Sequence, residues 1–189
     1  MVCVLLQDFR QAQSNMYRLP VDCGMERWSP SAGGFVKVNF DGATFKTQQL
    51  CGVGVLIRDQ RGEPVAALSE QIPTWMEADC IEAIAAVKAL EFAIELGLTN
   101  IHLEGDSLTV VKAIREESNL CASFGHFLQC TISYTKQFSY FCVSHVRRND
   151  NLMAHHLAQM AKEAPDKRLW LAEVPANLVH ILLKKVPAL

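Results

Sequence analysis

Residues 36–45 read VKVNFDGATF. Val36, Val38 and Phe40 fall on one face of an alternating stretch, the period of a β-strand, and the stretch then meets Asp41 and a run of small residues. Asp-Gly is a common hairpin signal, so by itself Asp41 reads as a residue that helps the chain reverse. Another reading opens if further carboxylates end other elements at the same edge of one sheet, so the rest of the chain decides.

Downstream, GVGVLIRD (52–59), the turn QRGEP and VAALSEQI (65–72) look like an antiparallel hairpin continuing from the first strand. From about residue 77 to 96 the period becomes helical. Ala83, Ala86, Leu90, Ala93, Ile94 and Gly97 share one face, and Lys88, Glu91 and Glu95 lie opposite. The small residues predict close approach to a sheet, and Gly97 is a natural stop. NIHLEGD (100–106) reads as a short buried strand. Helices are expected over 107–117 and about 122–136, a strand near 140–145, and a helix from about 151 to 162. The order βββαβααβα defines an α/β fold, a mixed sheet with helices on its faces.

Residues 1–33 keep no period and end in WSPSAGG, so they are expected to be an irregular leader. One domain is then expected over 34–164. WLAEVPANLVHILLKKV, broken around Pro175, suggests that the tail 165–189 contains a short docking helix. GVGVL at 52–56 lacks a following helix, which argues against a phosphate-cradling glycine loop and a small-molecule enzyme built on one.

Half of the 189 residues are apolar, enough for one sizeable core. Eighteen basic and twenty acidic residues leave a net charge of -2, so any nucleic-acid binding must be local. Seven cysteines without a CxxC pair fit reduced thiols in a cytoplasmic or nuclear protein. The opening MVCVLL is a poor secretory signal, and no apolar run approaches the roughly 20 residues that span a bilayer.

Three acids invite comparison. Asp41 ends the first strand, Asp106 ends the fourth, and Glu82 lies in the first turns of the long helix. If strands one and four are parallel neighbours, the two aspartates lie side by side and Glu82 can overhang both. Taken singly, Asp106 could cap the helix that begins at Ser107, and Glu82 could be an ordinary solvated residue. Taken together, clustered carboxylates repel by about 4 kcal/mol per close pair at an effective dielectric near 20, and so invite cations. Oxygen-only ligands select Mg2+ or Mn2+, and two such ions can support phosphodiester cleavage.

NFDGA, the helix IEAIAAVKAL, LEGDS and HVRRNDNLMAHHLA, in that order and at these intervals, resemble the ribonuclease H domain. They are closest in character to the plant group of type 1 ribonuclease H-like proteins related to retroelements. WSP before them and WLAEVP after them resemble that group's flanks, so the likeness covers about residues 28–183. It implies a ribonuclease H-like mixed sheet of five strands, three antiparallel and then two parallel.

It further implies that Asp41, Glu82 and Asp106 bind two Mg2+ ions, with Mn2+ as the alternative, and that the RNA strand of an RNA-DNA hybrid is cut. The other implied outcome is a domain of the same fold that binds nucleic acid or a protein without cutting. His155 stands where the family often has a fourth carboxylate, a nitrogen ligand in place of an oxygen one, which should weaken Mg2+ binding and favour Mn2+. His145 stands where family members carry a mobile histidine that assists product release. His156 should point elsewhere around the helix. Arg147, Arg148 and Asn151 form a polar cluster suited to phosphate contacts or to bracing the loop. A hybrid would be held by shape, through phosphates and 2′-hydroxyls, by a chain expected to be monomeric. Asp79, just before the helix glutamate, would repel a phosphate.

Overall fold

Strand β1 (Val36–Phe45) runs straight through Asp41 and Gly42. The structure is a computed structural model that describes residues 35–118 and 123–183, so the expected leader, the start of the 122–136 helix and the last six residues lie outside the described residues. The hairpin reading of Asp41-Gly42 is therefore corrected. The chain reverses later, in a 3-10 turn at Lys46–Gln48 followed by Gln49 at φ 54. β2 (Leu50–Arg58) then pairs antiparallel with β1, with Asp41 opposite Gly54. Gly42 serves packing instead of turning: a Cβ there would sit 2.8 Å from the Ile81 carbonyl carbon and 2.9 Å from the Glu82 nitrogen.

β3 (Pro64–Ile72) continues the antiparallel ladder, and α1 (Ala78–Glu95) crosses back over the sheet. β4 (Asn100–Gly105) lies parallel to β1, and α2 (Leu108–Glu116) and α3 (Gly125–Thr135) follow it. β5 (Tyr140–His145) is parallel to β4, and α4 (Leu152–Met160) returns across β1 and β2. A further strand, β6 (Arg168–Leu171), pairs antiparallel with β3, and α5 (Val179–Leu183) ends the described chain. The sheet thus has six strands, in the order β5-β4-β1-β2-β3-β6, where five were expected. Four residues are too few to reveal a period; β6 forms because the β3 edge offers backbone partners from Ala66 to Ser69.

One face of the sheet carries the main core. Val36, Val38, Phe40, Ile101 and Leu103 are fully buried there with Ala86, Leu90 and Ala93 of α1. Gly97 (φ 70) closes α1 in the left-handed conformation that glycine adopts without strain. The other face receives α4. Gly54 makes that approach feasible, because a Cβ there would overlap the Ala154 carbonyl oxygen and the Ala158 nitrogen. Beside α4 a second core joins Leu56, Ala67, Met153 and Leu157 to Val174, Leu178 and Ile181.

Covering both faces has a polar consequence. The β1 positions opposite the valines, Lys37, Asn39 and Asp41, are 4, 1 and 0% exposed, and so need partners inside the fold.

Candidate metal centre

The β1-β4 ladder pairs Phe40 with Gly105, so Asp41 and Asp106 are the next residues on two adjacent parallel strands. The close approach at Gly42 brings the first turns of α1 to the same edge. As a result Asp41, Glu82 and Asp106 each offer a carboxylate oxygen, and the three oxygens all lie within 4.8 Å of one another. Glu82 is 9% exposed, not solvated, and the Asp106 side chain is 6% exposed. The cap of α2 is Ser107, whose hydroxyl accepts from the Val110 nitrogen at 3.4 Å, so Asp106 is not spent on capping.

Charge in this pocket is costly. Burial, then the charges of Asp41 and Asp106, push the Glu82 carboxyl up to about 9. Burial also pushes Asp41 up to about 6, opposed by its hydrogen bond to His155 and reinforced by Asp106. Asp41 Oδ1 and Glu82 Oε2 are buried without a hydrogen-bond partner. Buried carboxylate oxygens lacking donors, in a set of three acids, are the donor set of a hard cation: the residues present fit a divalent ion bound through oxygen.

His155, in the first turn of α4, points its Nδ1 at Asp41 Oδ2, 3.0 Å away. Arg148 leans over the same ring, its Nη2 lying 3.2 Å from Nδ1 and 3.4 Å from Nε2, while Nη1 is 3.6 Å from Asp106 Oδ2. Near-equal distances to both ring nitrogens put the guanidinium against the ring, and Nδ1 faces the Asp41 carboxylate. His145 reaches the rim, where its Nε2 contacts the Asp106 backbone oxygen at 3.2 Å. Burial first, and then the neighbouring histidines 155 and 180, disfavour the charged form of His156.

Arg147 is exposed at the start of the loop. Asn151, for which phosphate contact and bracing of the loop were both open, makes bracing contacts. It is 1% exposed, donates Nδ2 to the Phe40 carbonyl at 2.8 Å and accepts from Asn39 Nδ2 at 3.2 Å. These bonds tie the start of α4 to the residue preceding Asp41.

Sequence reasoning missed what lies behind the site. Lys37 Nζ meets Glu104 Oε1 at 2.7 Å, Asn39 Nδ2 donates to Glu104 Oε2 at 3.1 Å, and Arg58 Nη2 donates to Asn39 Oδ1 at 2.7 Å. The usable signal was the pair of glycines at 52 and 54 facing the alanines of α4, which shows that a second helix covers the polar side of β1.

Residues 39–161 match the model of the reverse transcriptase-like family. No curated protein matches the chain. Among solved structures, the chain is similar to RNase H1 from the halophilic archaeon Halobacterium salinarum NRC-1, at 26% identity and a TM-score of 0.63, covering 68% of this chain and 97% of that one. It is also similar to the N-terminal RNase H domain of a Mycobacterium tuberculosis protein, at 20% identity and a TM-score of 0.62, over 69% of this chain and 94% of that one. LC11-RNase H1, solved in complex with an RNA/DNA hybrid, aligns at 19% identity and a TM-score of 0.60, over 68% of this chain and 96% of that one. The mixed sheet flanked by helices has the ribonuclease H-like architecture of these structures.

Proposed function

The chain belongs to the reverse transcriptase-like family, and on that premise we propose that it is an endonuclease cutting the RNA strand of RNA-DNA hybrids with two divalent ions. The observation that carries this reading is the convergence of Asp41, Glu82 and Asp106 within 4.8 Å, with two of their oxygens buried and unpartnered. The plant, retroelement-related placement rests on the motifs around these residues. LC11-RNase H1, whose structure contains an RNA/DNA hybrid, supports the choice of substrate class through its shared fold.

Asp41, Glu82 and Asp106 would hold the ions, which when bound supply an activated water and charge stabilisation at the leaving oxygen. The other roles belong to the chain's own groups. His155 holds Asp41 Oδ2 through Nδ1, which leaves Oδ1 directed into the cluster. Asn151 fixes the start of α4 against β1, so the distance between His155 and Asp41 is set by buried hydrogen bonds. Arg147 and Arg148 flank the opening, where a phosphate would approach. His145, on the Asp106 carbonyl, is placed to meet the product phosphate at the rim. With a nitrogen group in the fourth position, Mn2+ should serve better than Mg2+. Free Cys51, Cys80, Cys130 and Cys142 support a reducing compartment, cytoplasm or nucleus.

A second reading, a domain that binds a hybrid or a protein without cutting, is favoured by His155 in place of a fourth acid. One assay separates the two: a hybrid labelled on its RNA strand is incubated with the protein in Mg2+ and then in Mn2+, beside Asp41→Asn and Asp106→Asn. Cleavage by the wild type that both variants lose supports the nuclease. Cleavage retained by the variants removes the proposed site, and no cleavage in either metal leaves the binding domain.

A further inference from the structure

The acidic cluster already has a cation beside it. Arg148 stands in the 3-10 turn Arg148–Asp150 and reaches back to Asp106 Oδ2 at 3.6 Å and to the His155 ring. Its partners differ in freedom. The Asp106 side chain is 6% exposed and fixed at the end of β4, whereas the Arg148 side chain is 63% exposed on a flexible stem. An ion pair with one partner in water contributes only about 0–1 kcal/mol, so the guanidinium can leave at little cost while the acid stays. A guanidinium also matches phosphate geometry through paired hydrogen bonds, which gives it a second place to go.

We propose that Arg148 is a tethered cation that competes with a divalent ion for the acidic cluster in the free chain, and moves to a backbone phosphate when a hybrid binds. Metal and hybrid then reinforce one another, because the phosphate removes the competitor and the metal releases Arg148 for the phosphate. Such coupling is reciprocal. The inference rests on the cluster being the metal site, but it concerns the order and cooperativity of loading, not the chemistry.

The test is calorimetric titration of the full chain with Mn2+, alone and with a hybrid whose RNA strand is 2′-O-methylated and so resists cleavage. Wild type, Arg148→Gln and Arg148→Lys are compared. Without hybrid, Arg148→Gln should bind Mn2+ about two- to fivefold tighter than wild type, the factor an exposed ion pair supports, with Arg148→Lys between them. Adding hybrid should tighten Mn2+ binding in wild type by a larger factor than in Arg148→Gln. Hybrid affinity in chelator, read by fluorescence anisotropy, should fall in Arg148→Gln. Equal Mn2+ affinity in the free wild type and Arg148→Gln, or equal enhancement by hybrid, overturns the competition while leaving the metal site standing. Absence of Mn2+ binding in every protein overturns both.

Discussion

Glu82→Gln should stabilise the metal-free protein while abolishing its metal binding. In the fold the Glu82 carboxyl is raised from 4.5 to about 9, by burial first and then by Asp41 and Asp106. A carboxyl whose folded value exceeds its unfolded one favours the folded state at low pH, and that advantage is lost as pH rises toward the folded value. At pH 7 the folded chain keeps a proton that the unfolded chain has released. Holding it over about 2.5 pH units, at about 1.4 kcal/mol each, costs about 3 kcal/mol. Glutamine needs no proton, and its oxygen can keep the hydrogen bond from the Gly42 backbone. The variant should therefore gain about 3 kcal/mol at pH 7 in chelator, or about 6–12 °C in melting temperature for a chain of this size. The gain should shrink toward nothing near pH 4. Urea denaturation in chelator at intervals from pH 4 to 8 measures it. A variant that is no more stable than wild type at pH 7, or whose advantage does not change with pH, would refute the claim that Glu82 is held in the cluster at an electrostatic cost.

Other consequences follow from the same contacts. Gly54→Ala would place a methyl group in the backbone of α4 at Ala154 and Ala158, so stability should fall by about 1–3 kcal/mol or more in urea denaturation, with the loss of hybrid cleavage. Asn151→Ala leaves the buried Phe40 carbonyl without the donor that Asn151 Nδ2 supplies and should cost about 1–3 kcal/mol in the same measurement. Cleavage should fall further than stability, because the start of α4 also sets His155 and Arg148. His155→Asp supplies a fourth carboxylate beside Asp41 and should raise Mg2+ affinity about tenfold by calorimetry, a fraction of the about 4 kcal/mol that a close charge pair supplies at an effective dielectric near 20.

The parts of this fold that follow a period were legible in the sequence. The valines of β1, the alanine face of α1 and the short runs of β4 and β5 fall where alternation and helical spacing put them, because each buries an apolar stripe against a neighbour. The acids could be read as a group because parallel pairing of β1 and β4 carries Asp41 and Asp106 to one edge. Local patterns were misleading where tertiary contact overrides them. Asp41-Gly42 has turn chemistry, yet Gly42 is there for the backbone of α1. Lys37 and Asn39 carry the polarity of a solvent face, yet α4 buries them and Glu104 neutralises Lys37 at 2.7 Å. β6 is too short to carry a pattern and depends on the edge of β3. Asn151 sits among arginines, where phosphate contact and bracing are both open readings, and its bond to the Phe40 carbonyl, which no local pattern reveals, is the bracing contact.

The claim on which the rest depends is that Asp41, Glu82 and Asp106 jointly bind divalent ions. Calorimetric titration of the wild-type protein with Mn2+ and Mg2+, in two buffers of different ionisation enthalpy near pH 7, tests it directly. Binding should release protons, since Glu82 is raised to about 9 and must give up its proton to the ion, and Asp41→Asn, Glu82→Gln and Asp106→Asn should each lose the binding. Absence of binding heat in the wild type, or affinity and proton release unchanged in the three variants, would contradict it.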